Sequence, residues 1–263
     1  MNVISEPGKW TAIVLAGGRG PDDPLAKTYS VSHKCLLPVA GTAMLKRVVD
    51  TLQSHPAIGH VAVSIDDFDI AEEALGDVSA VELLKTGSSA AQSAGMAVRA
   101  MGERFPILLT TADHALLDHA MLDHFLGKAD QAQADLAVGL ARAETILTAY
   151  PVAKRTFLTF GADRVSGCNL YALKTARALV AVDFWQRIEH NRKNPFSLVK
   201  AFGLGAVLRY LTHRLTLESA FVYASKRLGL EVVPVVMPFA NAAVDIDKPA
   251  DRELVERILS NRS

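Results

Sequence analysis

The stretch Ile13-Val14-Leu15-Ala16-Gly17-Gly18-Arg19-Gly20 constrains the fold more than any other. An apolar run of strand type stops in three glycines within four residues. Glycine has no Cβ and tolerates positive φ, so its backbone can pass close to an anion. Several backbone N–H groups can then converge on one phosphate. About fourteen residues on comes His33-Lys34-Cys35-Leu36-Leu37-Pro38-Val39-Ala40-Gly41, where a lysine can add a full positive charge to the same anion. The expectation is a phosphate-holding loop at the C-terminal end of the first strand. A P-loop is excluded, because no Gly-Lys is followed by Ser or Thr. A dinucleotide fingerprint beginning at Gly18 fails as well, because its third glycine falls on Asp23.

The rest of the chain repeats the strand-then-helix rhythm. Residues 11–16, 61–65, 81–84 and 106–110 read as strands. Residues 42–53, 68–75 and 90–101 read as helices between them, the first with Met44, Leu45, Val48, Val49 and Leu52 at helical spacing. Such alternation predicts a parallel sheet with helices on its faces. Ligands in these sheets bind beyond the carboxyl ends of the strands. The glycine loop, Gly87-Ser88-Ser89 and Asp113 all fall at such ends. After a helix at 118–129 and a strand at 135–141, residues 144–170 resist assignment apart from strand character at 157–161 and 167–171. Residues 174–228 read as mostly helical with a break near Asn194-Pro195, and 232–236 as a late strand. The segment Asp245-Ile246-Asp247-Lys248-Pro249-Ala250-Asp251 leads into a last helix that runs through Leu259. The fold expected is α/β: a three-layer α/β/α, Rossmann-like, mostly parallel sheet. Residues 1–263 then form one domain with a helical insertion at 174–228.

Composition narrows the function. Lys plus Arg and Asp plus Glu both number 28, so no global field favours nucleic acid or an anionic membrane. The cysteines, Cys35 and Cys168, lie far apart and make no metal spacing, which fits a reducing cytoplasm. Residues 1–10 show no signal-peptide pattern, and no apolar run is long enough to span a membrane. The neutrality is uneven. Residues 180–228 hold eight Lys or Arg against three acids, a net +5 balanced by −5 elsewhere.

Taken together the motifs resemble the nucleotidyltransferase signature of the MobA-like NTP transferases. Leu15, Ala16, Gly17, Gly18 and Gly20 match its first half. Lys34, Leu36, Val39, Gly41, Met44 and Leu45 match its second. The resemblance implies a GT-A-like sheet and transfer of a nucleoside monophosphate from an NTP, CTP or GTP favoured, to a phosphorylated small-molecule acceptor. Pyrophosphate is released. It implies Mg²⁺, with Mn²⁺ as the alternative ion, no nucleic acid and no stable membrane insertion; a homo-oligomer is compatible with it. Asp113 matches the family's metal-binding aspartate, its other reading being an N-cap for the following helix. Asp245 and Asp247 resemble the second acidic motif, with Asp247 favoured as ligand. The other reading makes Asp247 the cap of the last helix. Gly87, Ser88 and Ser89 would face the base, or else cap a helix.

One departure is marked. The family's arginine position is Asp22 here, in a loop extended through Pro21-Asp22-Asp23-Pro24. Arg19, the cation nearest the glycines, is expected to take over its charge, with Lys27 as the alternative. The resemblance is weak from about 145 to 228, where the acceptor is expected and where Asn169, Arg187 and Arg192 are the candidates. Two other classes remain open at this point: a catalytically degenerate nucleotide-binding or regulatory protein, which Asp22 favours, and a nucleotide-sugar-dependent glycosyltransferase. The Asp-His pairs at 113–114, 118–119 and 123–124 recur every five residues. That step does not keep them on one helical face, so no zinc site is expected.

Overall fold

The structure, a computed structural model, describes residues 8–18, 20–153, 155–191 and 203–261. The chain forms two compact units, one of residues 1–122 with 244–263 and one of residues 123–243.

The first unit is built on β1 (Trp10–Leu15), five of whose six residues are buried. A strand apolar on both faces belongs inside a parallel sheet. It pairs in parallel with β4 (Ile58–Ile65) on one side and β6 (Ile107–Thr111) on the other. β5 (Glu82–Lys85) extends the sheet beyond β4, again in parallel. The strand order is therefore β6-β1-β4-β5. Between β1 and β4 lie α1 (Pro24–Thr28), a small antiparallel ribbon of β2 (Pro38–Val39) and β3 (Thr42–Ala43), and α2 (Met44–Ser54). The α2 residues singled out by their spacing, Met44, Leu45, Val48, Val49 and Leu52, are all buried. α3 (Phe68–Leu75) is capped by Asp67 and ends at Gly76, whose φ of 79° few other residues adopt cheaply. α4 (Ala90–Ala100) buries Ala91, Ala94, Gly95 and Ala97, small side chains that permit close packing on the sheet. α5 (His119–Gln131) follows β6, with Asp118 accepting the Met121 N–H at its start.

The second unit centres on β7 (Leu136–Arg142), which leads directly into α6 (Ala143–Ala149). β8 (Leu158–Phe160) and β9 (Asp163–Leu173) form a hairpin, and β9 runs antiparallel to β7. The β7–β9 register slips between Val138 and Leu140, opposite the stretch where Asn169 takes a φ of 50°. That is a β-bulge with an αL residue, a conformation asparagine tolerates better than most. The helices α7 (Leu179–Asn191), α8 (Leu204–Leu211) and α9 (Leu217–Leu228) follow, then β10 (Val232–Met237), parallel to β7. Leu140, Val165 and Leu217 form a buried cluster against Val138, Phe160 and Phe221. The helices expected at 174–228 are present among the described residues. The break expected near Asn194-Pro195 lies outside them. The chain ends in α10 (Pro249–Ser260), within the first unit.

The parallel pairings with intervening helices are the mostly parallel, Rossmann-like α/β class expected from the sequence. Among the described residues no helix is long and apolar enough to cross a membrane.

Candidate active site

Three stretches meet at the C-terminal ends of the first unit's strands. Asp113 lies two residues beyond β6, held by the Thr111 hydroxyl, which donates to its Oδ1 at 2.6 Å. Lys34 opens a 3-10 turn, Lys34–Leu36. That turn is capped by the buried ring of His33, whose Nδ1 accepts the Cys35 N–H at 3.2 Å. With Nδ1 accepting, the ring proton belongs on Nε2, which lies 3.1 Å from Asp66 Oδ1 and donates to it. The third stretch is pinned by its backbone: the Ile246 N–H donates to the Asp113 carbonyl at 3.2 Å, and the Ile246 side chain is fully buried. Asp245 and Asp247 flank that anchor, half-buried and exposed.

The Lys34 ammonium joins these stretches. It donates to Asp113 Oδ2 at 2.8 Å and to Asp247 Oδ1 at 2.9 Å. Burial works against the charged lysine, but Asp113 and Asp247 outweigh it and hold Lys34 above the ordinary lysine value. Burial likewise opposes the Asp113 carboxylate, and Lys34 with Thr111 outweighs it, so Asp113 ionises below the usual carboxylate range. Both side chains keep about a fifth of their surface in solvent, 18% and 21%, so the pair is reachable from outside. A cavity of about 50 Å³ adjoins it, lined by Leu15, Ala16, Gly17, His33, Lys34 and Asp113 among others.

The helix-cap readings of the two acids do not hold. Asp118, not Asp113, caps α5. At α10 the Asp251 carboxylate accepts the N–H groups of Asp247 and Lys248 at 3.1 and 2.9 Å, and Lys248 occupies the cap position. Asp251 thereby closes the helix and leaves the Asp247 carboxylate to Lys34. Of the Asp245/Asp247 pair, Asp247 is the one that reaches the lysine.

The glycines have protein neighbours as well as room. A Cβ on Gly17 would stand 2.8 Å from Thr86 Cγ2, and one on Gly18 would stand 2.7 Å from the His33 ring. Close packing of loop on loop therefore requires glycine at both positions, whatever ligand the loop holds. Gly20, at a φ of 55°, needs it for the backbone alone.

A model of the MobA-like NTP transferase domain matches residues 12–186, more than half of the chain. The chain belongs to the MobA-like NTP transferase family. Solved structures agree in fold. A hypothetical transferase from Thermus thermophilus superposes with a TM-score of 0.76 at 24% identity, over 93% of this chain and 99% of that one. The 4-diphosphocytidyl-2C-methyl-D-erythritol synthase from Anaerococcus prevotii gives 0.60 at 12% identity, over 96% and 99%. Molybdopterin-guanine dinucleotide biosynthesis protein A from Archaeoglobus fulgidus gives 0.53 at 14%, over 95% and 99%. No curated protein matches the chain.

The remaining candidates are placed as follows. Leu15 and Ala16 carry the end of β1 into the loop, the Ala16 N–H still donating to Ser64 at 2.8 Å. Ser89 caps α4 through the Gln92 N–H. Ser88 donates from both its N–H and its hydroxyl to Gln92 Oε1, at 2.8 and 2.6 Å. Gln92, which the sequence reading missed, thus governs this loop; its signal was a polar, exposed position in the first turn of a helix rich in small residues. Lys27 pairs with Asp22 at 2.9 Å, both exposed, so the acid at the family's arginine position engages the alternative cation. Arg19 and Arg192 lie outside the described residues. In the second unit Arg187 is exposed on α7 and donates to the Asp183 carbonyl of its own helix at 3.3 Å, and Asn169 holds the bulge of β9.

Proposed function

We propose that the protein transfers a nucleoside monophosphate from an NTP to a phosphorylated small-molecule acceptor and releases pyrophosphate. The observation that carries this reading is the convergence of Lys34, Asp113 and Asp247 on one point beside the glycine loop. Family membership supports it. The names of two fold relatives concern a cytidyl and a guanine product, which is why CTP and GTP are the favoured donors.

In the proposed step an acceptor phosphate oxygen attacks the α-phosphorus. The bond from that phosphorus to the bridging oxygen of pyrophosphate breaks, and pyrophosphate leaves with the electron pair. Gly17, Gly18 and Gly20 would cradle the triphosphate, Lys34 and Arg19 would neutralise it, and the Gly87-Ser88-Ser89 loop would face the base. No covalent nucleophile is required, since positioning and charge stabilisation supply most of the catalysis in phosphoryl chemistry. Cys35 is unsuited to that role in any case: burial first, and then the Asp66 charge, push its thiol up to about 12.

The donor set also suits Mg²⁺. Two carboxylate oxygens already converge on a cationic nitrogen, and Mg²⁺ typically takes one or two carboxylates, completing its shell with water and substrate phosphate. Among the described residues no cluster of three or more His, Cys, Asp or Glu is placed to hold a metal, and the proposed seat therefore relies on two carboxylates with water and substrate phosphate. Asp113 and Asp247 would hold the ion, with Asp245 near enough in sequence to assist. When bound it would neutralise charge on the phosphates. Asn169, Arg187 and Arg192 are proposed for the acceptor, because they lie where the shared nucleotide chemistry leaves the chain free.

The test is a pyrophosphate-release screen with each NTP and Mg²⁺ against a panel of phosphorylated acceptors. Acceptor-dependent release with one or two NTPs is expected. Specific binding of an NTP without release under any acceptor would instead favour a non-catalytic nucleotide-binding protein.

A further inference from the structure

The position of the Lys34 ammonium has a consequence for how a metal could enter. It stands within 2.9 Å of carboxylate oxygens from both Asp113 and Asp247. Those are the oxygens that the proposed reaction assigns to a divalent cation. A lysine nitrogen and a metal ion are alternatives there: they need the same lone pairs, and two cations a few ångströms apart repel. The adjoining cavity, about 50 Å³, has room for an ion beside the pair. The backbone of Lys34 is held in a 3-10 turn by the His33 cap, so the flexible four-carbon stem is the part free to swing.

We infer that Lys34 is the resident counter-ion of the metal seat and keeps it closed to free divalent cation until a polyphosphate offers the ammonium another anion. The inference rests on the proposed function for the ligand that opens the seat, and adds to it an order of binding. Lys34 then has two stations. In the first it neutralises Asp113 and Asp247; in the second it neutralises phosphate, and the metal inherits the carboxylates. Linkage makes the effect reciprocal: whatever draws the lysine away tightens metal, and metal on the carboxylates drives the lysine toward phosphate. A protein alone in solution should therefore bind divalent metal poorly despite its two converging carboxylates.

The experiment is Mn²⁺ binding to the full chain, followed by electron paramagnetic resonance and calorimetry in the absence of nucleotide. Wild type is compared with Lys34→Met and Lys34→Gln, each checked for native circular dichroism. Removing the ammonium should tighten Mn²⁺ by about tenfold or more, because a unit charge so close to the ion costs more than that at the effective dielectric of a protein surface. Wild type should show only weak, millimolar-range binding. Equal Mn²⁺ affinity in wild type and variants would overturn the inference. If neither variant folds, wild type alone decides: saturable binding in the low micromolar range by the protein without polyphosphate overturns it equally. No nucleotide turns over in this assay. Equal affinities would remove the gate while pyrophosphate release by wild type still tested the reaction; a tightened Lys34→Met site with no release by wild type would remove the reaction and leave the gate.

Discussion

Replacing Asp113 by Asn separates the structural from the chemical role of the site, because the side chain keeps its shape and loses only its charge. Wild-type Asp113 accepts from the Lys34 ammonium at 2.8 Å and from the Thr111 hydroxyl at 2.6 Å. A hydrogen bond to a charged group contributes about 1.5–3 kcal/mol. The variant retains an acceptor for one of the two donors, and Lys34 retains Asp247. That partner is 59% exposed, however, and solvent screens it. A net loss of about 1–2 kcal/mol is the reasonable expectation, or a fall in Tm of about 2–8 °C for a chain of this size. The loss should depend on pH with a definite sign. Asp113 ionises below its ordinary range in the folded protein. Its stabilisation is therefore fully present above the unfolded carboxylate value and disappears as pH falls through the folded one. Wild type and variant should converge in acid. Turnover should respond differently. If Asp113 holds the cation that neutralises the triphosphate, its loss should cost on the order of a hundredfold to a thousandfold in kcat. Thermal melts across pH and metal-dependent pyrophosphate release measure the two effects. A folded Asp113→Asn variant whose Mg²⁺-dependent release stays within about tenfold of wild type would refute the metal assignment.

Lys34→Ala should weaken binding of an NTP far more than of the matching nucleoside, and calorimetry showing equal loss for both would remove Lys34 from the phosphate site. Arg19→Ala should reduce activity more than Lys27→Ala, since Lys27 already engages Asp22; the reverse ranking in steady-state kinetics would reassign the charge. Charge removal at Arg187 should raise the acceptor KM several-fold and leave the NTP KM unchanged, and an unaltered acceptor KM would make it a solvated helix residue. His114 is buried, and both its ring nitrogens lack a hydrogen-bond partner among the described residues. Burial lowers its pKa to about 4 against the opposing pull of Asp113 and Asp118. The unfolded chain therefore takes up this proton first, and stability should fall as pH drops from about 6.5 toward about 4, by roughly 3 kcal/mol at most. His114→Phe should flatten that limb of a denaturation profile, and an unchanged slope would show that the histidine is not its source.

The elements that the sequence disclosed are those whose burial has a single period. α2 shows it at 3.6 residues, and β1 and β6 as short, mostly apolar runs of the kind a sheet covered on both faces accommodates. β9 escaped full assignment because its alternation of burial breaks where Val165 and Ser166 are buried side by side, near the start of an eleven-residue strand. α6 was missed because it has seven residues and starts directly from β7 at Arg142, with no side-chain cap to announce it. The site divides on the same principle. Lys34, Asp113 and Asp247 were legible as residue types at strand ends and helix starts, where local chemistry admitted two roles for each acid. Which role each took depended on a competitor elsewhere. Asp118 caps α5 and so releases Asp113; Asp251 closes α10 and so releases Asp247. Spacing could not rank those competitors, because Asp113 and Asp118 both precede the same helix and Asp247 and Asp251 both flank the same proline. The ranking comes from the lysine. Once β6 and the returning segment are tied by the Ile246–Asp113 backbone bond, the two acids that face each other across that tie share the Lys34 ammonium. The acids farther along each segment are the ones geometrically free to finish the helices.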